Sequence, residues 1–230
     1  MFSNMKNVLV VAAHPDDEVL GCGGTISKLL KKGIDVAILI LGEGITSRYE
    51  NREKAMDIEQ MKELKNHIND AAKILKVKKN FVLNFPDNRF DSVPLLDLVK
   101  VIENVKNKFI PDVIFTHHGE DLNIDHQITF NAVLTACRAI AGEMVKQIYC
   151  FETLSSTEWS WPNTFKPNVY VDISKTIEKK IDAMKAYKNE LKEWPHPRSI
   201  KGIEILAEKR GCEVGLAYAE AFELVRSINL

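Results

Sequence analysis

The sequence predicts an α/β protein of Rossmann-like build, a mostly parallel sheet flanked by helices on both faces. Two patterns carry that expectation. Short β-branched apolar runs alternate with longer amphipathic stretches, and charged or imidazole side chains gather directly after the apolar runs. Size is the third observation: 230 residues, 45% of them hydrophobic, suffice for a sizeable core. By length alone the chain suits one large domain or two small ones; with no clear linker, a single domain over 1–230 is expected.

The first strand is read over roughly 7–13, where Val8-Leu9-Val10-Val11-Ala12 is apolar throughout, as in a strand buried on both faces. A helical pattern follows over 20–32. The β-branched run at 35–42 ends on Gly42-Glu43-Gly44, and a helical pattern over 53–76 leads to a strand at 80–85. Helix 93–109, strand 112–117, helix 126–141 and strand 147–153 continue the alternation. Segment 154–168 is irregular, with Trp159, Trp161, Pro162 and Pro167, and reads as a binding loop or as an aromatic plug over the core. A strand at 168–172, a helix at 174–190 and a last helical stretch over about 200–226 complete the chain. Parallel strands need crossover connections, so the alternation puts helices on both faces of the sheet.

Composition excludes several classes. A net charge of −1 leaves no electrostatic footprint for nucleic acid or an anionic membrane. No apolar stretch approaches the ~20 residues that span a bilayer, so no integral membrane association is expected. Met1-Phe2-Ser3-Asn4-Met5-Lys6 lacks the anatomy of a signal peptide, which points to the cytoplasm. Cys22, Cys137, Cys150 and Cys212 have no close C-x-x-C spacing and read as free thiols.

The chemistry lies in Ala13-His14-Pro15-Asp16-Asp17-Glu18, directly after the first strand. In open parallel sheets the crevice beyond the strand carboxyl ends binds ligands, and ionised groups there need a metal or partner. A hydrolytic zinc takes three protein ligands and one water. His14 and Asp17 supply two, and His126 is the best candidate for the third. It closes the polar segment His117-His118-Gly119-Glu120-Asp121-Leu122-Asn123-Ile124-Asp125-His126, where Asp125 is expected to cap a helix. The same ligand set would accept Fe²⁺. Asp16 is left as general base, handing its proton on to the leaving group. Of His117 and His118, one is expected to face the site and the other the core, while His67 reads as solvated. Gly21-Cys22-Gly23-Gly24 fits close packing of helix on sheet better than a phosphate turn, and no Gly-x-Ser-x-Gly elbow is present.

Together, Ala13–Glu18, Gly42-Glu43-Gly44 and Asp125-His126 resemble the LmbE-like (PIG-L) family of metal-dependent N-deacetylases, whose eukaryotic relatives act on N-acetylglucosaminyl-phosphatidylinositol. The resemblance implies a Rossmann-like fold, zinc on His14, Asp17 and His126, and Asp16 as base. It also implies removal of acetyl from an N-acetylated amino sugar or its conjugate, of the N-acetylglucosamine type and nucleotide-linked in some branches. The homo-oligomers common among relatives are a weaker implication. One position departs from the family pattern. Many relatives carry His-Pro-Asp-His, whose first His polarises the substrate carbonyl, and Asn123 stands there in this chain. An amide can donate to an oxyanion but carries no positive charge. The cationic helper is therefore sought in His118 or in His196 of Trp194-Pro195-His196-Pro197-Arg198-Ser199. Substrate contacts are expected from Arg48, Arg89, Asp91 and Arg198, suited to phosphate or sugar hydroxyls. The alternative reading is a non-catalytic sugar-nucleotide or metal-binding protein of the same fold.

Overall fold

A computed structural model of the chain describes residues 5–56 and 59–229. Seven strands form one sheet: β1 (Asn7–Ala12), β2 (Asp35–Gly42), β3 (Lys79–Phe85), β4 (Val113–His117), β5 (Gln147–Phe151), β6 (Val169–Asp172) and β7 (Ala219–Ser227). Their order is β3-β2-β1-β4-β5-β7-β6. The first five are parallel, and β7 runs antiparallel between β5 and β6. Helices α1 (Asp17–Lys31), α2 (Arg52–Met56), α3 (Glu59–Leu75), α4 (Leu95–Phe109), α5 (Ile124–Ala136), α6 (Ile177–Ala186) and α7 (Ile200–Cys212) cover both faces.

The period-2 alternation of β1 explains the two layers. Val8, Val10 and Ala12 pack in one cluster with Ile26 of α1, Leu64 and Ile68 of α3, Ile181 of α6 and Ile203 of α7. Leu9, Val11 and Ala13 turn the other way, onto Leu98 and Ile102 of α4 and Val133 of α5. The expected α/β architecture is the observed one. Because β2 and β4 flank β1 on opposite sides, the chain reverses its winding direction there. The carboxyl ends of β1 and β4 therefore open on a topological switch point.

Two expectations need correction. The helical stretch read over 200–226 is α7 followed by β7. Ala219-Glu220-Ala221-Phe222-Glu223-Leu224 is rich in helix formers, but pairing with β5 and β6 overrides that propensity. α7 ends at Cys212, and the chain turns back through Gly215 (φ 73°), passing so close to Gly211 that a side-chain carbon there would lie 2.6 Å from the Leu216 carbonyl oxygen. The helical pattern over 53–76 is met on both sides of residues 57 and 58, which lie outside the described residues, by α2 and α3. The cap of α5 is Asn123, whose side chain accepts from the Asp125 N–H at 2.8 Å, so Asp125 lies inside the helix.

α1 is kinked at Cys22 (φ −149°, ψ 24°). The kink releases helical N–H and C=O groups, and a buried ion pair takes them up. Glu220 of β7 accepts from Gly24 N (2.9 Å) and Thr25 N (2.7 Å). Lys180 of α6 donates to Leu20 O and to Glu220, both at 2.7 Å. The glycine run serves this close packing, since a side chain at Gly21 would meet the Phe151 ring at 2.3 Å. All four cysteines are free thiols, and among the described residues no helix is long and apolar enough to cross a membrane.

Candidate metal centre and active site

β1 ends at Ala12, and the turn after it delivers His14, Asp16 and Asp17 into the switch-point crevice, while the turn after β4 and the first turn of α5 deliver Asn123 and His126. The resulting cleft has a volume of about 240 Å³. A larger cavity of about 510 Å³ lies at the opposite ends of the strands. Of its lysines, Lys31 ends α1 and Lys76 follows α3, where they complement the helix dipoles. Among the described residues it gathers no metal-ligand set; the two sets found, His14–Asp17–His126 and His14–Asp87–Asp125, share His14 at the smaller cleft.

One ligand atom each from His14, Asp17 and His126 lies within 4.8 Å of the others. Asp17 Oδ2 is 3.4 Å from His14 Nδ1 and 3.4 Å from His126 Nε2. Tetrahedral zinc with ligand bonds of about 2.1 Å has edges of about 3.4 Å, so the donor spacing fits such an ion. The outer nitrogens are also held. His14 Nε2 meets Asp125 Oδ2 at 2.9 Å, which aims Nδ1 at Asp17. His126 Nδ1 faces Asp121 Oδ2 at 3.3 Å, and Asp121 in turn accepts from the hydroxyls of Ser156 and Thr157. Such carboxylate–histidine pairs fix the ring orientation that a metal site needs. Asp16, Asp17, Asp87, Asp121 and Asp125 are all buried, an excess of negative charge that calls for a cation.

The titration behaviour agrees. Burial disfavours the charged form of His126, yet Asp17 and Asp121 lift its pKa to about 9. Burial likewise opposes charging of His14, and Asp125 and Asp17 outweigh it. For Asp17, burial is overcome by His126 and His117, which hold its carboxyl well below the usual range. Burial pushes His117 the other way, to about 4, helped by the charge on His126. The Nε2 of His117 accepts from Ala13 N at 2.9 Å, so its lone pair is engaged by backbone. Its ring stacks on His126 with centroids 3.8 Å apart, bracing that imidazole.

Asp16 caps α1 with φ 103° and ψ −28°, a left-handed conformation that costs energy for a residue other than glycine. Its N–H donates to Glu18 Oε2 (3.1 Å), and Glu18 is held by the Tyr187 hydroxyl (2.6 Å). Burial and the Asp17 charge push the Asp16 carboxyl well above the usual range, against the pull of Arg198. Arg198 Nη1 reaches Asp16 Oδ2 at 3.2 Å and Glu190 Oε2 at 3.3 Å. Arg48 binds both oxygens of Glu190, at 2.8 and 2.6 Å. An array of alternating charge, Arg48–Glu190–Arg198–Asp16, thus ties the cleft wall to the Asp16 carboxylate.

The sequence-derived residues divide as follows. His14, Asp16, Asp17, Asn123, His126, Arg48 and Arg198 line the cleft. His118 does not: strand alternation turns it away from His117, onto Glu223 of β7 (2.9 Å) and Thr164 (3.0 Å). His196 does not either, since its Nδ1 accepts from Arg198 N and its ring packs on Trp159. Arg89 and Asp91 are exposed on a short turn, and Asp87 and Asn88 of the same segment face the cleft instead. Gly44, with φ 97°, lines it too, at the turn after β2. Sequence reading missed Asp87, Asp121 and Glu190. Asp121 had a signal, because a carboxylate in the segment that supplies a His ligand is a natural partner for that His. Glu190 had none.

Asp121 has a direct consequence. Asp121→Ala is expected to weaken metal affinity by about 10–100-fold, and competition with a calibrated chelator measures it. An unchanged affinity would remove Asp121 from the support of His126.

A model of the family described as PIG-L, GlcNAc-PI de-N-acetylase, matches residues 9–137. An uncharacterized deacetylase, YaiS, from Escherichia coli is 32% identical over 80% of this chain and 91% of its own. Diacetylchitobiose deacetylase from Thermococcus kodakarensis is 28% identical over the whole chain and 86% of its own. The crystal structure of N,N′-diacetylchitobiose deacetylase from Pyrococcus horikoshii superposes with a TM-score of 0.79 at 22% identity, covering 98% of this chain and 85% of that one.

Proposed function

The chain belongs to the PIG-L, or GlcNAc-PI de-N-acetylase, family of metal-dependent deacetylases, and we propose that it removes acetyl from an N-acetylated amino sugar or its conjugate, with zinc or Fe²⁺ held by His14, Asp17 and His126. It is an enzyme, a hydrolase of N-acetyl amides. The observation that supports this reading is a polar cleft in which Asp16, outside the candidate ligand set, adjoins the His14–Asp17–His126 cluster.

A divalent metal bound there would lower the pKa of a water towards ~7 and polarise the amide carbonyl. The rest follows from the chain's own residues. Arg198 holds Asp16 Oδ2, leaving Oδ1 to take a proton from the attacking water. The water oxygen bonds to the carbonyl carbon. As the C–N bond breaks, the proton on Asp16 passes to the leaving nitrogen, and acetate and a primary amine result. Asn123 lines the cleft and its Nδ2 donates to Asn88 Oδ1 at 2.9 Å; in this reading it would turn to donate to the oxyanion. With His118 and His196 outside the cleft, Arg198, at 3.2 Å from Asp16 Oδ2, is the arginine in contact with the proposed base. Arg48 and Arg198 are the arginines positioned to meet substrate hydroxyls or an anionic substituent.

The test is metal content and acetate release together. Protein purified without chelator is expected to hold one equivalent of metal and to release acetate from at least one of N-acetylglucosamine, N,N′-diacetylchitobiose or UDP-N-acetylglucosamine. Failure of folded protein to retain or take up zinc or iron would overturn the metal reading. Full metal occupancy without acetate from any of the three would overturn the substrate reading and favour a binding role.

A further inference from the structure

All three tryptophans of this chain are solvent-exposed, and all three lie on the two segments that supply one wall of the cleft. Trp159 and Trp161 follow Leu154, Ser155 and Ser156, which line it, and Trp194 precedes Arg198, which also lines it. Trp161 is 93% exposed, and Trp159 and Trp194 are each 52% exposed. Trp is normally among the more buried side chains, so three exposed indoles on one wall are unusual. The segments touch where Trp159 meets the His196 ring edge-on at 5.9 Å. The Ser160 hydroxyl donates to Glu120 O at 2.9 Å, fixing the Trp159–Trp161 turn beside the turn that carries Asn123.

The cleft itself is polar, lined by carboxylates, amides and hydroxyls, and does not use these rings. Its volume, about 240 Å³, is below the roughly 300–1,000 Å³ of pockets that enclose drug-sized ligands. It therefore has room for one sugar ring, and whatever is attached to that ring must leave across the rim. A pyranose presents hydroxyls at its edge and C–H groups on its faces. Those C–H groups match the electron-rich face of an indole.

We propose that Trp159, Trp161 and Trp194 form a second subsite, which takes a pyranose ring glycosidically linked to the acetylated sugar in the cleft. This assignment rests on the reading of the cleft as a sugar site.

The test is calorimetric titration with N-acetylglucosamine, N,N′-diacetylchitobiose and octyl N-acetylglucosaminide, in the Asp16→Asn background so that no ligand is consumed. The disaccharide is expected to bind about 5–10-fold more tightly than the monosaccharide, a factor in keeping with ring stacking. Adding Trp159→Ala, Trp161→Ala and Trp194→Ala is expected to abolish that preference without changing Tm, because exposed rings carry little of the fold. Equal affinity for the two sugars, or a preference that survives loss of all three indoles, overturns the subsite. So does tighter binding of the octyl glycoside, which would assign the rings to an alkyl aglycone. Acetate release by wild type reports separately on catalysis. An intact disaccharide preference with no acetate would remove the deacetylase reading and leave the subsite, and no binding of any sugar would remove both.

Discussion

Asp16→Asn is expected to lower kcat by about 10²–10⁴-fold while the protein keeps its full complement of metal. The amide retains the shape of the carboxylate and cannot accept the proton of the attacking water. His14, Asp17 and His126 are untouched, so metal content separates loss of the base from loss of the site. The substitution keeps an oxygen that Arg198 can meet, and Asn tolerates positive φ better than most residues, so the cap of α1 should persist. Single-turnover acetate release with metal analysis on the same sample is the measurement. Wild-type kcat in a metal-replete variant would transfer the base role elsewhere, and loss of metal along with activity would show that Asp16 supports the centre.

Lys180→Met is expected to destabilise the protein by about 3–5 kcal/mol, because it leaves Glu220 charged and buried without its partner. For a chain of this size that corresponds to a fall in Tm of about 6–20 °C. The magnitude follows from position. Glu220 and Lys180 are both buried and satisfy the N–H and C=O groups opened by the kink at Cys22. Removing Glu220 as well, in Lys180→Met/Glu220→Gln, is expected to recover part of the loss, since contacting residues are not additive. A thermal melt of the two single variants and the double variant checks both statements. A Lys180→Met protein within about 1 kcal/mol of wild type would mean that water or a shift of α1 replaces the pair. The kink is also where function and stability meet, because the first turn of α1 carries Asp17 and Glu18 and its cap is Asp16.

The sequence by itself determined the layout of the fold and the residues that gather in the cleft. Period-2 and helical patterns are local, so β1 to β5 and most helices could be read from neighbouring residues. His14, Asp16 and Asp17 declared themselves because charge at the end of an apolar strand is costly without a purpose. His126 did so by repeating that arrangement after β4. Tertiary structure decided the rest. β7 is a strand only because β5 and β6 leave a place between them, and its Ala, Glu and Leu content pointed to a helix. The outward turn of His118, the inward turn of His117 and the packing of His196 on Trp159 depend on what each ring meets. Glu190 reaches Arg48 142 positions away in sequence, and Arg198 reaches Asp16 across 182. Hydrogen bonds of that range leave no trace in local composition, because only the folded sheet brings their partners to one crevice.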